Sequence, residues 1–220
     1  MKPDPQKLFK VLYGAYGPQH WWPAKSMEAM MVGVILVQNT AWTQAAKVVD
    51  SLDANNCLSW QALRDIDDET LWQWLRPAGY FRVKSRRIKA LAHFMASYSD
   101  SVTELFTLET ADLRNQLLKV NGVGKESADS IICYGAGRHV FVVDTYTRRL
   151  FTRLGWVDEK IGYDELQHLV HSNIVKAKKP GGIEIFNEFH ALIVRHAKEH
   201  CHKRPSCNKC PVKFCLKVGI

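Results

Sequence analysis

One carboxylate and one group of cysteines stand out in this sequence as residues that could do chemistry. Asp144 follows the apolar run 140–143 and precedes a stretch with helical spacing, so it lies where a helix begins. A carboxylate in that position can stabilise a developing positive charge or deprotonate a water molecule. Aspartate is also a good N-cap residue, so helix capping is the simpler role for Asp144.

The C-terminal cysteines have the spacing of a metal site. Four of the six cysteines follow the pattern C-x5-C-x2-C-x4-C, at Cys201, Cys207, Cys210 and Cys215. Four thiolates this close in sequence can enclose one metal centre, which favours metal binding over free thiols and over disulfides. The spacing alone is compatible with a zinc ion and with an iron–sulfur cluster.

The element that must position these groups is a helical hairpin at LLKVNGVGKESADSI, residues 117–131. Apolar residues at helical spacing lead into the turn, and a second helical pattern starts directly after it. We expect glycine at both ends of the turn, because so tight a reversal needs a positive φ or a bare backbone. The N–H groups of the turn would then form a nest that binds a phosphate without reading base sequence. The residues of this nest are Gly122, Val123, Gly124 and Lys125.

The rest of the chain is predicted to be helix and turn, because no stretch alternates as a strand does and the run 140–143 is too short to build a sheet. A break is expected at 38–40, where Asn39 or Thr40 caps a second helix and Gln38 faces a bound duplex. A later helix carries a basic run, for which a solvated helix face is the alternative to phosphate contact. The members of this run are Arg82, Lys84, Arg86, Arg87 and Lys89.

Charge and hydropathy narrow the class of partner. The net charge of +8 and a pI near 9.2 indicate an anionic partner, for which nucleic acid is the usual candidate in a basic protein. The N-terminus lacks an apolar signal core, and the apolar run 30–37 is too short to span a bilayer. We therefore expect an intracellular protein with no membrane partner.

Three motifs together resemble the endonuclease III superfamily of helix-hairpin-helix DNA glycosylases. They are LLKVNGVGKESADSI, FVVDTYTRR at 141–149 and the C-terminal cysteine cluster. The resemblance implies an all-α fold in which two helical domains flank a DNA-binding cleft, with a C-terminal iron–sulfur loop. It places a central domain at 25–135 and a discontinuous domain at 1–24 and 136–220. Asp144 would lie at the mouth of the cleft.

The resemblance also implies a reaction, in which a damaged nucleotide is flipped out and its C1′–N bond is broken beside the catalytic Asp144. Bifunctional members attack C1′ with a lysine two residues after the second hairpin glycine, and this chain has Glu126 there. A carboxylate cannot form a Schiff base, so we predict a monofunctional enzyme with Glu126 in or near the base pocket. Helix capping is the alternative role for Glu126. Lys84 matches the lysine of the family's phosphate-contacting loop.

The base pocket is predicted from two aromatic segments, HWWP at 20–23 and LVQNTAW at 36–42, which are similar to the 3-methyladenine glycosylase branch. An aromatic slot attracts a cationic alkylated purine such as 3-methyladenine, whereas core packing is the ordinary role of tryptophan. The slot residues are Trp21, Trp22, Pro23 and Trp42. The alternatives are a bifunctional glycosylase and AP lyase acting on oxidised pyrimidines, and a non-catalytic protein that binds DNA lesions.

The resemblance favours a 4Fe-4S cluster over zinc at the four C-terminal cysteines. Both outer gaps of the cysteine pattern are one residue shorter than the family's usual spacing. In the family the cluster takes no part in hydrolysis. The expected partner is double-stranded DNA that contains a damaged base, and the protein is expected to act as a monomer in the cytoplasm, associated with the nucleoid.

Overall fold

A computed structural model describes residues 2–174 and 184–220. Within these ranges the chain forms twelve α-helices and no β-strand, which confirms the predicted all-α class. The helices are α1 (Pro5–Tyr16), α2 (Met27–Leu36), α3 (Trp42–Ala54), α4 (Trp60–Asp65), α5 (Asp68–Leu75), α6 (Phe81–Ala96), α7 (Val102–Leu105), α8 (Thr110–Leu118), α9 (Lys125–Ser130), α10 (Thr145–Arg153), α11 (Tyr163–Asn173) and α12 (Glu184–Glu199). A π-helical turn, Ile131–Gly135, continues α9. Among the described helices, none has the length and apolar character needed to cross a membrane.

The chain divides into two compact units, one of which is discontinuous. The first unit joins Met1–Trp22 to Gly137–Ile220, and the second is Pro23–Ala136. The sequence prediction set these boundaries at 24/25 and 135/136. The chain therefore starts in one unit, builds the other, and returns to complete the first.

The unit Pro23–Ala136 is built around α2. Ser26 caps this helix by accepting a hydrogen bond from the Ala29 amide at 3.1 Å, and every side chain from Ala29 to Leu36 is buried. A helix that is apolar on all sides is stable only when neighbours cover it completely. Helices α3 and α6 and the π-helical turn provide that cover, and α4 and α5 pack in turn on α6.

The discontinuous unit is built around α12. Helices α1 and α10 both pack on α12, and α1 also contacts α11. Phe189, Leu192 and Ile193 lie on the buried side of α12 and are fully enclosed. The N-terminal helix is thus held by the last helix of the chain.

The break between α2 and α3 lies where the sequence predicted it, but the predicted cap is wrong. The N-cap of α3 is Ala41, and no side chain caps that helix. Asn39 instead adopts a left-handed conformation with φ 54°, and Thr40 Oγ1 donates a hydrogen bond to the Ala78 carbonyl at 2.5 Å. Tertiary contact with the turn before α6 takes precedence over local capping here.

Candidate active site

Asp144 is the N-cap of α10, and both oxygens of its carboxylate have a close partner. Oδ1 accepts a hydrogen bond from the Thr147 amide at 2.7 Å, and Oδ2 lies 3.3 Å from Nε2 of His190 on α12. The side chain of Asp144 is only 10 % exposed. Asp144 therefore caps α10 and is at the same time a buried carboxylate with a second partner on another helix.

The carboxyl group of Asp144 has a pKa below its usual range, although burial opposes ionisation. Burial is the largest influence and raises the pKa. The hydrogen bond and charge of His190, together with the bonds from Thr147, lower it by more. Asp144 is therefore an anion at neutral pH in a place where little water can screen its charge.

His190 is a residue of this site that the sequence analysis missed. It is 5 % exposed, and its ring lies 6.4 Å from the rings of Trp21 and Phe141, measured between centroids. The only signal in the sequence is a histidine among apolar residues at helical spacing, such as Phe186 and Ile193. That pattern indicates a buried histidine but does not identify its partner.

The hairpin turn between α8 and α9 gives its two glycines different roles. Gly122 has a φ of 87°, and a Cβ on it would lie 2.1 Å from Cγ of Arg87. Gly124 has an extended backbone, with φ −91° and ψ −177°, and a Cβ on it would meet no atom within 4 Å. Of the two glycines, only Gly122 has the positive φ that was expected to require glycine. Gly124 leaves the backbone bare on the exposed side of the turn.

Gln38 ties the end of α2 to this turn. Its Nε2 donates hydrogen bonds to the Gly122 carbonyl at 3.0 Å and to Ser127 Oγ at 2.9 Å. Its Oε1 in turn accepts from the guanidinium of Arg87. The side-chain amide predicted to face a duplex is thus engaged in holding the hairpin.

The remaining hairpin residues divide between core and surface. Val123 is buried, 5 % exposed, whereas Lys125 and Glu126 are exposed in the first turn of α9. Gly124, as the N-cap, provides no side-chain acceptor for this turn. No side chain therefore caps the first turn of α9, where the charge of Glu126, unlike that of Lys125, is favourable to the helix dipole.

Lys84 does not lie on the surface, and its predicted role in phosphate contact is corrected. It is 1 % exposed, and Nζ donates to the Leu36 carbonyl at 2.7 Å, to the Ala78 carbonyl at 2.8 Å and to Thr40 Oγ1. Burial, with the nearby charge of Arg87, lowers the pKa of Lys84 to about 8. The ammonium group satisfies carbonyls at the end of α2 and before α6. Arg82 and Arg86 are the exposed members of the basic run.

The predicted slot residues fall in different units. Trp21 and Trp22 are half-buried in the discontinuous unit, with their rings 5.2 Å apart in an edge-to-face arrangement. Pro23, which is exposed, and Trp42, which is half-buried at the start of α3, belong to the other unit. The loop before Trp21 is fixed to α12, because Glu188 Oε1 accepts from the Gln19 amide at 2.7 Å.

The four C-terminal cysteines line a single cavity of about 190 Å³, together with Arg153 and His196. Cys201 is buried and the other three thiols are half-buried. Burial, reinforced by the neighbouring thiols, raises the pKa of both Cys210 and Cys215. Among residues 2–174 and 184–220, no three His, Cys, Asp or Glu side chains converge as the ligands of one metal ion do.

Arg153 organises this cysteine loop from inside the fold. It is 7 % exposed, and its guanidinium donates to the Cys201 carbonyl at 3.1 Å, to the His202 carbonyl at 2.8 Å and to the Lys203 carbonyl at 3.2 Å. The same group lies 3.3 Å from the Cys201 sulfur. The last turn of α10 thus fixes the start of the loop.

More than half of the chain matches a known protein family. A profile described as HhH-GPD superfamily base excision DNA repair protein matches residues 32–175, which include the hairpin and Asp144. The chain belongs to this superfamily and is a base excision repair DNA glycosylase. The predicted family is confirmed.

Individual relatives give the same picture. Over 213 residues the chain is 40 % identical to MJ1434 of Methanocaldococcus jannaschii, which is named as a DNA repair glycosylase, with 96 % of this chain and 94 % of that protein covered. It is 22 % identical over 198 residues to endonuclease III of Sulfolobus acidocaldarius, covering 89 % and 84 %.

Solved structures have the same fold. The 3-methyladenine DNA glycosylase MagIII of H. pylori, bound to 1,N6-ethenoadenine, superposes with a TM-score of 0.77 at 27 % identity, covering 89 % of this chain and 98 % of that one. A non-covalent endonuclease III–DNA complex superposes with a TM-score of 0.81 at 19 % identity, covering 98 % and 96 %.

Proposed function

We propose that this protein is a monofunctional DNA glycosylase that hydrolyses the N-glycosidic bond of an alkylated purine flipped out of duplex DNA. The observation that carries the proposal is the buried, doubly partnered carboxylate of Asp144. A fixed negative charge of this kind stabilises the oxocarbenium-like transition state of C1′–N cleavage and can orient the attacking water. Because its partners already hold the carboxylate, little reorganisation accompanies the reaction.

The monofunctional character is inferred from Glu126. This residue is exposed in the first turn of α9, two positions after Gly124, where a lyase of this superfamily would carry its attacking amine. A carboxylate can form no Schiff base with C1′. Lys125 is one position away, and one residue along a helix turns a side chain through about 100°. We assign Lys125 to a phosphate and Glu126 to the surroundings of the flipped base.

The alkylated purine is inferred from the aromatic loop. Trp21 lies beside His190 on the unit that carries Asp144, and its ring meets that of Trp22 edge to face. Similarity to a 3-methyladenine glycosylase with 1,N6-ethenoadenine bound supports a purine with altered ring nitrogens. A cationic purine gains attraction from aromatic faces and already has a weakened glycosidic bond. We assign Trp21 and Trp22 of this unit to contact with the base.

DNA backbone contact is assigned to the hairpin nest. Gly124 has neither a conformational nor a packing reason to be glycine, since a Cβ there would meet no atom. A bare backbone beside a helix N-terminus permits close approach of a phosphate. Gln38 and Gly122 act in this scheme by fixing the shape of the turn.

A 4Fe-4S cluster is the proposed cofactor of the cysteine loop. The four thiols around one cavity can supply the four sulfur ligands that such a cluster needs. When bound, the cluster would supply cross-linking of the loop and no hydrolytic chemistry. The loop's exposed basic residues would then meet phosphates; they are Lys203, Arg204, Lys209 and Lys213.

The test is a panel of duplexes that carry alkylated, oxidised, deaminated or mismatched bases, incubated with the enzyme and analysed with and without alkali. We expect release of methylated purines, with strand breaks only after alkali. Trp22→Ala should lower release of the alkylated base, and Asp144→Asn should abolish it. Strand breaks without alkali on oxidised pyrimidines would establish the bifunctional alternative. Binding of lesions without release of any base would establish the non-catalytic one.

A further inference from the structure

The two partners of the Asp144 carboxylate lie on different helices. Thr147, on α10 itself, occupies Oδ1 at 2.7 Å, whereas His190, on α12, lies 3.3 Å from Oδ2. Helices α10 and α12 pack directly on each other. The orientation of the carboxylate is therefore set both by its own helix and by the helix on which that helix rests.

The buried ring of His190 has two aromatic neighbours. Phe141 and Trp21 both lie 6.4 Å from its imidazole, and the histidine is 5 % exposed. A ring held in this way has little rotational freedom, so the 3.3 Å contact between Nε2 and Oδ2 of Asp144 is kept in place. Among the described residues, His190 is the titratable group whose charge acts on Asp144.

Helix α12 also supports the aromatic loop. Glu188, two residues before His190, accepts the hydrogen bond from the Gln19 amide, which fixes the loop that leads to Trp21. Arg195 on the same helix donates to the Tyr16 carbonyl at 3.1 Å. One helix thus carries both the support of the aromatic loop and the partner of the carboxylate.

We propose that His190 is a positioning residue for catalysis, which holds Asp144 as an oriented anion through the ring N–H at Nε2. This inference rests on the proposed catalytic role of Asp144. Without a donor at position 190, Oδ2 of Asp144 loses its partner. Burial then raises the pKa of the carboxyl group with less opposition, so the group is protonated more easily. Excision needs the anion, so the acid limb of the rate profile should move to higher pH when His190 is removed.

The experiment compares His190→Phe, which keeps a planar ring without a donor, with His190→Gln, whose amide can donate. His168→Gln on α11, an exposed histidine bonded to Ser172, is the matched control. Single-turnover base release is measured against pH, and affinity is measured on a duplex with a non-cleavable abasic analogue. We expect His190→Phe to lower the plateau rate about 10- to 100-fold with unchanged affinity. Its acid limb should move upward, and His190→Gln should recover most of the rate.

Two outcomes separate failure of this inference from failure of the proposed function. If Asp144→Asn is inactive while His190→Phe keeps the wild-type plateau and acid limb, His190 is a packing residue and the inference is overturned. An active Asp144→Asn removes the proposed function itself. If His190→Phe and His190→Gln lose rate equally, with no shift of the acid limb, the loss reflects packing and the inference also fails.

Discussion

The side-chain amide of Gln38 donates a hydrogen bond to the carbonyl of Gly122 at 3.0 Å, so the end of α2 holds the hairpin turn in place. The same amide reaches Ser127 at the start of the second hairpin helix. The nest proposed to bind phosphate is thus shaped by a residue more than eighty positions earlier in the chain.

Gln38→Ala should lower both stability and DNA affinity. Loss of the three partly buried hydrogen bonds of this side chain should cost about 1 to 3 kcal/mol in the free energy of unfolding, measured in urea. Affinity for undamaged and damaged duplex should fall together, because the nest reads no sequence. Gln73→Ala, at an exposed position on α5, is the control. If Gln38→Ala kept normal affinity for undamaged duplex but lost affinity for damaged duplex, Gln38 would have a role in lesion recognition instead.

The two hairpin glycines should respond differently to alanine. Gly122→Ala should destabilise the fold by about 1 to 3 kcal/mol, because it combines a positive φ with a clash against Arg87. Gly124→Ala should leave the free energy of unfolding unchanged and weaken duplex binding, since its Cβ meets no protein atom but would occupy the place of a phosphate. The measurements are urea unfolding and fluorescence anisotropy. Full affinity in Gly124→Ala would remove the nest from DNA binding.

Glu126→Lys should introduce lyase character. An amine at this position can form a Schiff base with C1′, so borohydride should trap a covalent complex with damaged duplex that wild type does not give. Glu126→Gln, which has no amine nucleophile, is the control and should give no trapped complex. A trapped complex with wild type would contradict the monofunctional assignment.

Cys215→Ser should abolish the cluster. Purified wild type should contain iron and acid-labile sulfide and absorb in the visible range, and the variant should contain neither and bind duplex more weakly. Cys57→Ser changes a half-buried thiol of the other unit and should keep the full iron content. Stoichiometric zinc in wild type, with no iron or sulfide, would replace the cluster with a zinc site.

Burial of Lys84 should make the free energy of unfolding depend on pH in the alkaline range. Its pKa is about 8 in the folded protein, lower than in the unfolded chain, so folding releases its proton between these two values. The unfolded state binds more protons there, and the contribution of this group to stability should rise with pH above about 8. The free energy of unfolding of wild type relative to Lys84→Met should therefore increase from pH 8 to pH 10. A difference that is flat with pH would show that Lys84 keeps its proton.

The sequence predicted the elements better than the contacts between them. The hairpin could be located because two glycines interrupt apolar helical spacing, and Asp144 because an apolar run ends at a helix start. The burial of Lys84 was also present in the pattern, since Lys84 shares a helical face with Ile88, Leu91 and Met95. The charge of the basic run 82–89 predicts a surface position for Lys84. Its ammonium group is buried instead, because three oxygen atoms accept its hydrogen bonds.

The partners of Asp144 and of the cysteine loop could not be predicted in the same way. His190 and Arg153 are polar residues within apolar helical patterns, and local spacing shows only that such side chains are buried. Which carboxylate or carbonyl they meet depends on how α10, α12 and the C-terminal loop pack. That arrangement is a tertiary property with no local signal.

The discontinuous unit has a consequence for protein synthesis. Helix α1 is synthesised well before α12, the helix on which it packs. Residues 23–136 can complete their own core while α1 still lacks its partner. The nascent chain must therefore keep an amphipathic helix, with Leu8 and Leu12 uncovered, until α12 has been made. The unit that holds the hairpin can therefore fold before the surroundings of Asp144 are complete.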